Sequence, residues 1–294
     1  MDKAFQKNST MSEKINSRMD IISKTFQISK QMGFQNTTWD EFKVFLEKQD
    51  LFYHALVFEG ASMGYAQYDK YNNGRLTEWK KFTEKTPKAF NTFNFIGLGW
   101  ALAKWTDFDL TTLKDVDVKM YWRTFGGWGY HDAIFKKSLI FNKMDRAHRV
   151  PLEYVNAYDE GIGRLIWYES RADLQKMMDL VSRFDKSRLP DIWRGIGIAV
   201  SFVGAYDLDF FKKILNFTGD FRLSFNIGSA LAAKALDSTH TVNNEVEGAF
   251  SYMFDKSISE IAQMTIKLEN ETTSDDYYSK WLQKMHHNMV SYIP

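Results

Sequence analysis

The sequence predicts an all-α protein: about six helical-hairpin units of roughly 30–35 residues, forming an α-solenoid or a curved α/α array. Three observations lead there. Small-residue segments recur along the chain at a near-constant interval. Three of the four prolines (Pro87, Pro151 and Pro190; the fourth is Pro294) follow polar stretches and stand where helices are expected to open. Strand-like alternation is scarce, whereas 172–184 and 208–217 space their apolar residues as helices do.

The recurring segments are FEGASMGYAQYD (58–69), FIGLGWALAKW (95–105), FGGWGYHDAIF (125–135), DEGIGRLIWYES (159–170), WRGIGIAVSFVGA (193–205) and FNIGSALAAKALD (225–237). With Gly64, Gly99, Gly129, Gly163, Gly197 and Gly228 as markers, the steps are 35, 30, 34, 34 and 31 residues. A period of that size fits one helical hairpin per unit. The unit is clearest in mid-chain. A glycine-bearing helix ends near Tyr168, ESRAD turns, and 172–184 makes the second helix. The next glycine-bearing helix spans 191–204, and 208–217 is its partner. Around this series the chain divides into an N-terminal helical segment (1–45), the repeat domain (46–260) and a C-terminal helix (261–294).

Glycine inside a helix costs roughly 1 kcal/mol relative to alanine. Several units with one or two glycines each give up on the order of 5–10 kcal/mol, comparable with a domain's net stability. A repeated cost requires a repeated compensation, and close helix packing supplies one. Residues at i and i+2 face nearly opposite sides of a helix, while i and i+4 share a side. Gly97 therefore aligns with Ala101 and Gly99 with Ala103, as expected for an inner helix wedged between two neighbours. The alternative, a phosphate-cradling GxG turn, needs a preceding strand and a third glycine at GxGxxG spacing, and neither is evident.

Composition bounds the function. Lys+Arg 38 against Asp+Glu 37 leaves a formal charge of +1, without the basic excess of nucleic-acid binders. With no cysteine, disulfides, thiolate metal sites and Cys nucleophiles are excluded. The start, MDKAFQKNSTMSEKIN, lacks the apolar core of a signal peptide. The longest apolar run, Ile196 to Tyr206, has 11 residues, too few to cross a bilayer. A cytoplasmic protein without an integral membrane segment is expected. Aromatics reach 16%, which suits a bulky core or a cavity lined for an apolar ligand.

Metal chemistry finds little support. DKYNNGRLTEWK (69–80) offers Asp69, Asn73, Gly74 and Leu76 to an EF-hand pattern, but Tyr71 and Lys80 occupy its third and twelfth places. The stretch reads instead as an Asn-Gly turn between helices. Asp145/His148 and Asp237/His240 have carboxylate–histidine spacing but sit in polar, turn-like stretches; His286 and His287 lie on an amphipathic C-terminal helix. Asp275 and Asp276 would need a further acid at Ser279 to resemble an isoprenoid-type aspartate cluster. No metal site is expected, and the sequence does not say whether a cofactor is used.

Polar residues beside the glycines are better candidates: Glu59 before Gly60, His131 and Asp132 after Gly129, Asp159 and Glu160 before Gly161, Arg164 after Gly163, and Arg194 before Gly195. If the glycine helices line the inside of a curved array, these groups converge on a concave surface. His131–Asp132 is the foremost acid/base pair, because histidine titrates near neutrality. Asp159 and Glu160 also suit the helix dipole. Trp100, Trp128, Trp167 and Trp193 are the aromatic candidates for contact with substrate.

The ordered series FEGASMGYA, FIGLGWALAKW, GGWGYHDAIF, YDEGIGRLIWY and DIWRGIGIAV resembles the enediyne biosynthesis proteins that accompany enediyne polyketide synthase clusters, over roughly residues 50–235. Glu59, Asp159, Gly161, Gly163, Arg164, Trp167, Trp193 and Gly195 stand where that family's motifs place such residues. His131-Asp132-Ala133 replaces its His-Glu-Gly, shortening the carboxylate. The resemblance implies an enzyme or accessory factor of bacterial secondary-metabolite biosynthesis, acting on an apolar polyene- or isoprenoid-type substrate. With aromatic walls it extends to a cyclase, since π faces attract positive charge. The other expectation is a non-catalytic scaffold that offers a concave surface to pathway partner proteins. An enclosed aromatic pocket favours the first, an open polar groove the second.

Overall fold

A computed structural model describes residues 2–72, 74–272 and 277–292, with side chains from residue 11 onward. Asn73, Asp275 and Asp276 lie outside the described residues. Those described form fourteen α-helices and no strand. The glycine-bearing segments fall in α3 (His54–Asn72), α5 (Asn91–Leu102), α6 (Tyr121–Phe135), α7 (Val155–Ser170), α9 (Leu189–Val203) and α11 (Arg222–Ser238). Each packs on the next in chain order; α1 (Asp2–Phe34) lies along α3, and α13 (Ile258–Asn270) along α11.

The glycine doublets set this order. In α5 a Cβ on Gly97 would collide with the Glu59 carbonyl of α3, and one on Gly99 with the Thr124 carbonyl of α6. In α7 Gly161 touches the backbone of α6 at Gly126, and Gly163 that of α9 at Ile192. Gly127/Gly129 and Gly195/Gly197 repeat the scheme, the first glycine toward the preceding helix and the second toward the following one. Two positions apart is about 200° around a helix, so one doublet opens both flanks to backbone contact. Where α3 lacks the second glycine, Ser62 stands in, its hydroxyl donating to the Asn94 carbonyl at 2.6 Å. The helical GxG reading holds, and the phosphate-turn alternative does not.

The helices between these elements begin differently. α8 (Leu174–Val181), α10 (Leu208–Thr218) and α12 (Asn244–Phe254) open on side-chain caps from Asp173, Asp207 and Asn243. α5, α6, α7, α9 and α11 of the glycine series lack such caps. α5 and α7 are entered through three-residue 3-10 turns that follow Pro87 and Pro151, while Pro190 lies in the first turn of α9. Arg171 and Ala172, both at positive φ, delay α8 to Leu174. A second helix is not present in every interval. Between α5 and α6, and between α6 and α7, the connecting segment holds only short 3-10 or π turns. After α3 the Asp69 carboxylate accepts the Glu78 and Trp79 amides (3.0 and 2.9 Å), capping α4 (Thr77–Lys85). With Gly74 at φ +67° this stretch is a helix connection.

The first and later parts of the series meet across the middle. Arg18 Nη1 donates to the Val203 carbonyl at 2.8 Å, and Phe93 and Phe202 pack at 5.9 Å between ring centres. α14 (Tyr277–Met289) stacks Tyr278 and Trp281 on Trp122 at the start of α6 (5.1 and 5.3 Å). No helix among the described residues is long and apolar enough to cross a membrane.

Two substitutions separate packing glycines from incidental ones. Gly163→Ala drives a methyl into the α9 backbone and is expected to cost more than about 3 kcal/mol or to prevent folding. Gly248→Ala, in an exposed helical position with open space around it, is expected to stabilise by about 0.5–1 kcal/mol. Chemical denaturation of both variants measures the contrast.

Candidate functional site

The two smooth flanks of each inner helix leave a stripe between them, at the residue before the first glycine and every fourth residue beyond. These stripes meet in one cavity of about 220 Å³, lined by α1, α3, α5, α6, α7, α9 and α11. Glu59, Ile96 and Trp100, Tyr130 and Ile134, and Glu160, Arg164 and Tyr168 all obey this register, as do Ile198 and Phe202. The wall is mostly apolar and carries a run of aromatic rings: Phe26 packs on Trp100 (4.7 Å), Trp100 on Tyr130 (4.9 Å) and Tyr130 on Tyr168 (6.0 Å). Ser23, Gln27 and Phe135 are exposed and mark the mouth.

Glu59 is the lining carboxyl whose titration the chamber shifts. Its Oε1 accepts the Trp100 indole N–H at 3.1 Å. Burial raises its carboxyl to about 7, against the opposing pull of the Arg164 charge and the Trp100 hydrogen bond. The side chain keeps some exposure, toward the cavity. Glu160 is held by Arg194, whose Nε donates to it at 2.8 Å; Nη2 of Arg194 donates to Asp191 (2.7 Å) and to the Tyr278 hydroxyl (2.8 Å). Arg123 donates to Glu269 at 3.1 Å, and Lys234 pairs with the same carboxylate. Burial, with Arg123 nearby, lowers Lys234 to about 8.

The remaining candidates lie behind the wall or away from it. His131 follows Gly127 by four residues and sits on the flank toward α5, its ring 6.2 Å from Trp100 and 4.7 Å from Phe135. Its Nδ1 is 3.1 Å from Asp132 Oδ1, while its buried Nε2 has no partner. Burial holds the imidazole below its ordinary value, although Asp132 pulls upward. Asp132 accepts from Trp128 Nε1 (3.1 Å), the Tyr158 hydroxyl (2.9 Å) and Lys136 (2.8 Å). Burial raises that carboxyl, yet the hydrogen bonds from His131, Lys136 and Tyr158 bring it net below the usual range.

Asp159, fully buried, is clamped by Arg146 and Arg188, the latter through Nε (3.0 Å) and Nη2 (2.6 Å). Trp128, Trp167 and Trp193 are buried in the packing between helices. Of the eleven sequence candidates, Glu59, Trp100, Glu160 and Arg164 share the cavity. Tyr130, Tyr168 and Arg123 line it without having been singled out. The first two follow from the register, standing three residues after Gly127 and seven after Gly161.

These features define an all-α protein whose glycine-packed helices line an apolar, aromatic-bearing chamber with a carboxyl, Glu59, and a guanidinium, Arg164, in its wall. The chain belongs to the family described as "Protein of unknown function (DUF1702)", whose model matches residues 2–289. No curated protein and no solved structure matches it.

The Asp159 clamp is a structural element by its contacts. Asp159→Ala leaves two guanidinium groups without their carboxylate, and the expected loss is about 3–5 kcal/mol, measured by urea unfolding.

Proposed function

We propose that the chamber binds an apolar small molecule of polyene or isoprenoid type, and that the protein works as an enzyme or accessory factor of secondary-metabolite biosynthesis. The observation that carries this reading is the enclosed aromatic wall closing on Glu59. An engineered apolar cavity of about 150 Å³ takes benzene, so this chamber takes an apolar body of on the order of ten carbons, with any remainder at the mouth. A scaffold for partner proteins needs an open polar groove, which is not the arrangement of this cavity. The consecutive packing of the glycine helices supports an α/α repeat array as the ancestral plan, and the resemblance to enediyne-associated proteins supplies the biosynthetic setting.

Glu59 suits proton abstraction better than alkene protonation. A carboxyl titrating near 7 is a weak donor to carbon, but as a desolvated carboxylate it is a strong base for its class. A cyclase in this chamber would use Glu59 for its deprotonating step, with the rings of Trp100 and Tyr130 facing the developing positive charge. His131, one layer behind Trp100, would position that wall.

Two measurements test the proposal. Incubation with conjugated polyene hydrocarbons, followed by native mass spectrometry and product analysis, is expected to show a bound or altered polyene. Glu59→Gln should retain the bound species and lose any turnover. Absence of both binding and turnover with wild type removes the reading.

The second test is stability against pH. Because folding raises the Glu59 carboxyl from 4.5 to about 7, its contribution is complete below about 4.5 and is lost as pH rises through 7. Glu59→Gln is therefore expected to flatten the slope between pH 5 and about 7.5. It should exceed wild type above neutrality by at most about 3 kcal/mol, less where the chamber admits water.

A further inference from the structure

Three buried polar atoms on chamber-lining residues have no hydrogen-bond partner: Nε of Arg164, Nε of Arg123 and Oγ1 of Thr92. Buried donors left unpaired are costly, and the cost is greatest for a charged group. Arg123 still has Glu269 to neutralise it. Arg164 differs. Among the described residues it has neither a hydrogen bond nor an ion pair, and Glu59 acts on it only from a distance. Its guanidinium lies 5.9 Å from the centre of the Tyr130 ring and over Gly126, where a side chain would press on Nη2. The fold thus clears room for a cation, lets it face the chamber and supplies no counter-charge in direct contact.

Resting on the reading of the chamber as an apolar ligand site, we propose that Arg164 anchors the acidic head of that ligand, and that the head is a single carboxylate. The planar fork of a guanidinium matches a carboxylate through two parallel hydrogen bonds. Direct pairing favours a monoanion. Glu160 is paired with Arg194 and Arg123 with Glu269, which leaves Arg164 as the lining cation without a direct ion pair among the described residues. Glu59 lies within reach of the Arg164 charge, so a polyanion such as a diphosphate would also meet repulsion from that carboxylate. The ligand class is an amphipathic carboxylic acid: the head at Arg164, the apolar body along Trp100, Tyr130 and Tyr168, and the far end past Phe135 at the mouth.

The experiment compares parinaric acid, a fluorescent conjugated polyene acid, with its methyl ester on the full chain at pH 7.5, and uses farnesyl diphosphate as competitor. Wild type is expected to bind the acid at least about tenfold more tightly than the ester, the effect of one charge-assisted hydrogen-bonded pair. Arg164→Gln should reduce the gap to less than about threefold by weakening the acid alone, with Arg164→Lys between them. Should the variants fail to fold, the acid–ester difference on wild type still decides.

Equal binding of acid and ester by wild type, or an acid preference that survives Arg164→Gln, overturns the anchor while leaving the apolar chamber intact. Stronger binding of farnesyl diphosphate than of the acid overturns the single-carboxylate assignment. Failure of both acid and ester to bind overturns the chamber as a ligand site, and the anchor with it.

Discussion

Backbone-to-backbone contact between successive helices is the constraint on which the rest of the molecule depends. Each of α5, α6, α7 and α9 touches one neighbour through the first glycine of a doublet and the other through the second, and a methyl at either place meets a carbonyl oxygen. Such proximity gains dispersion contacts along the whole crossing and allows Cα–H···O=C interactions. These offset the roughly 1 kcal/mol that each helical glycine costs. The contact also fixes rotation. Once both flanks are committed to neighbours, the helix cannot turn about its axis without lifting a side chain into a carbonyl, so the residues between the flanks are fixed facing inward. The chamber is the common outcome of these rotational locks.

The chamber's electrostatics follow from the same geometry. Charged side chains at or beside the inner stripe are balanced by neighbours: Glu160 by Arg194, itself tied to Asp191 and Tyr278, and Arg123 by the carboxylate it shares with Lys234. Buried ion pairs of this sort add little net stability, but removal of one partner is expensive. Their effect is to hold inward charges still and nearly cancelled, which makes the exceptions informative. Glu59 is desolvated with only an indole donor, and Arg164 has no partner among the described residues. Both face the cavity, and both are the groups a bound molecule would meet.

Much of this was legible in the sequence. The doublets at Gly97/Gly99, Gly161/Gly163 and Gly195/Gly197 announced two-sided packing before any coordinate, and Glu59 and Arg164 stood out as polar residues flanking glycines. What the sequence did not show was which side of the helix each polar residue takes. His131 and Asp132 follow Gly127 and Gly129 by four and three residues, so they inherit the flanks, toward Trp100 of α5 and Tyr158 of α7. Asp159 precedes Gly161 by two and turns away from the stripe, where Arg146 and Arg188 meet it. The segments 103–120 and 136–154 resisted reading for another reason. Their 3-10 and π turns are too short to develop a period, and their places are set by long-range contacts such as that of Arg149 with the Trp105 carbonyl.

One glycine stands apart from the packing scheme and ties the fold to the site. The segment FGGWG carries three glycines where a doublet needs two. Gly127 and Gly129 meet the backbones of α5 and α7, as the register requires. Gly126 occupies the stripe position that holds Glu59 in α3, Ile96 in α5 and Glu160 in α7, and its nearest neighbour there is the end of the Arg164 side chain. The missing side chain relieves the α7 backbone little, since a Cβ there would lie 3.4 Å from the Ala157 carbonyl, an ordinary contact. What it creates is a recess, and the recess is filled by the guanidinium of the next helix, facing the cavity. Gly126 and Arg164 are two halves of one feature, and it is on this feature that the proposed anchor rests.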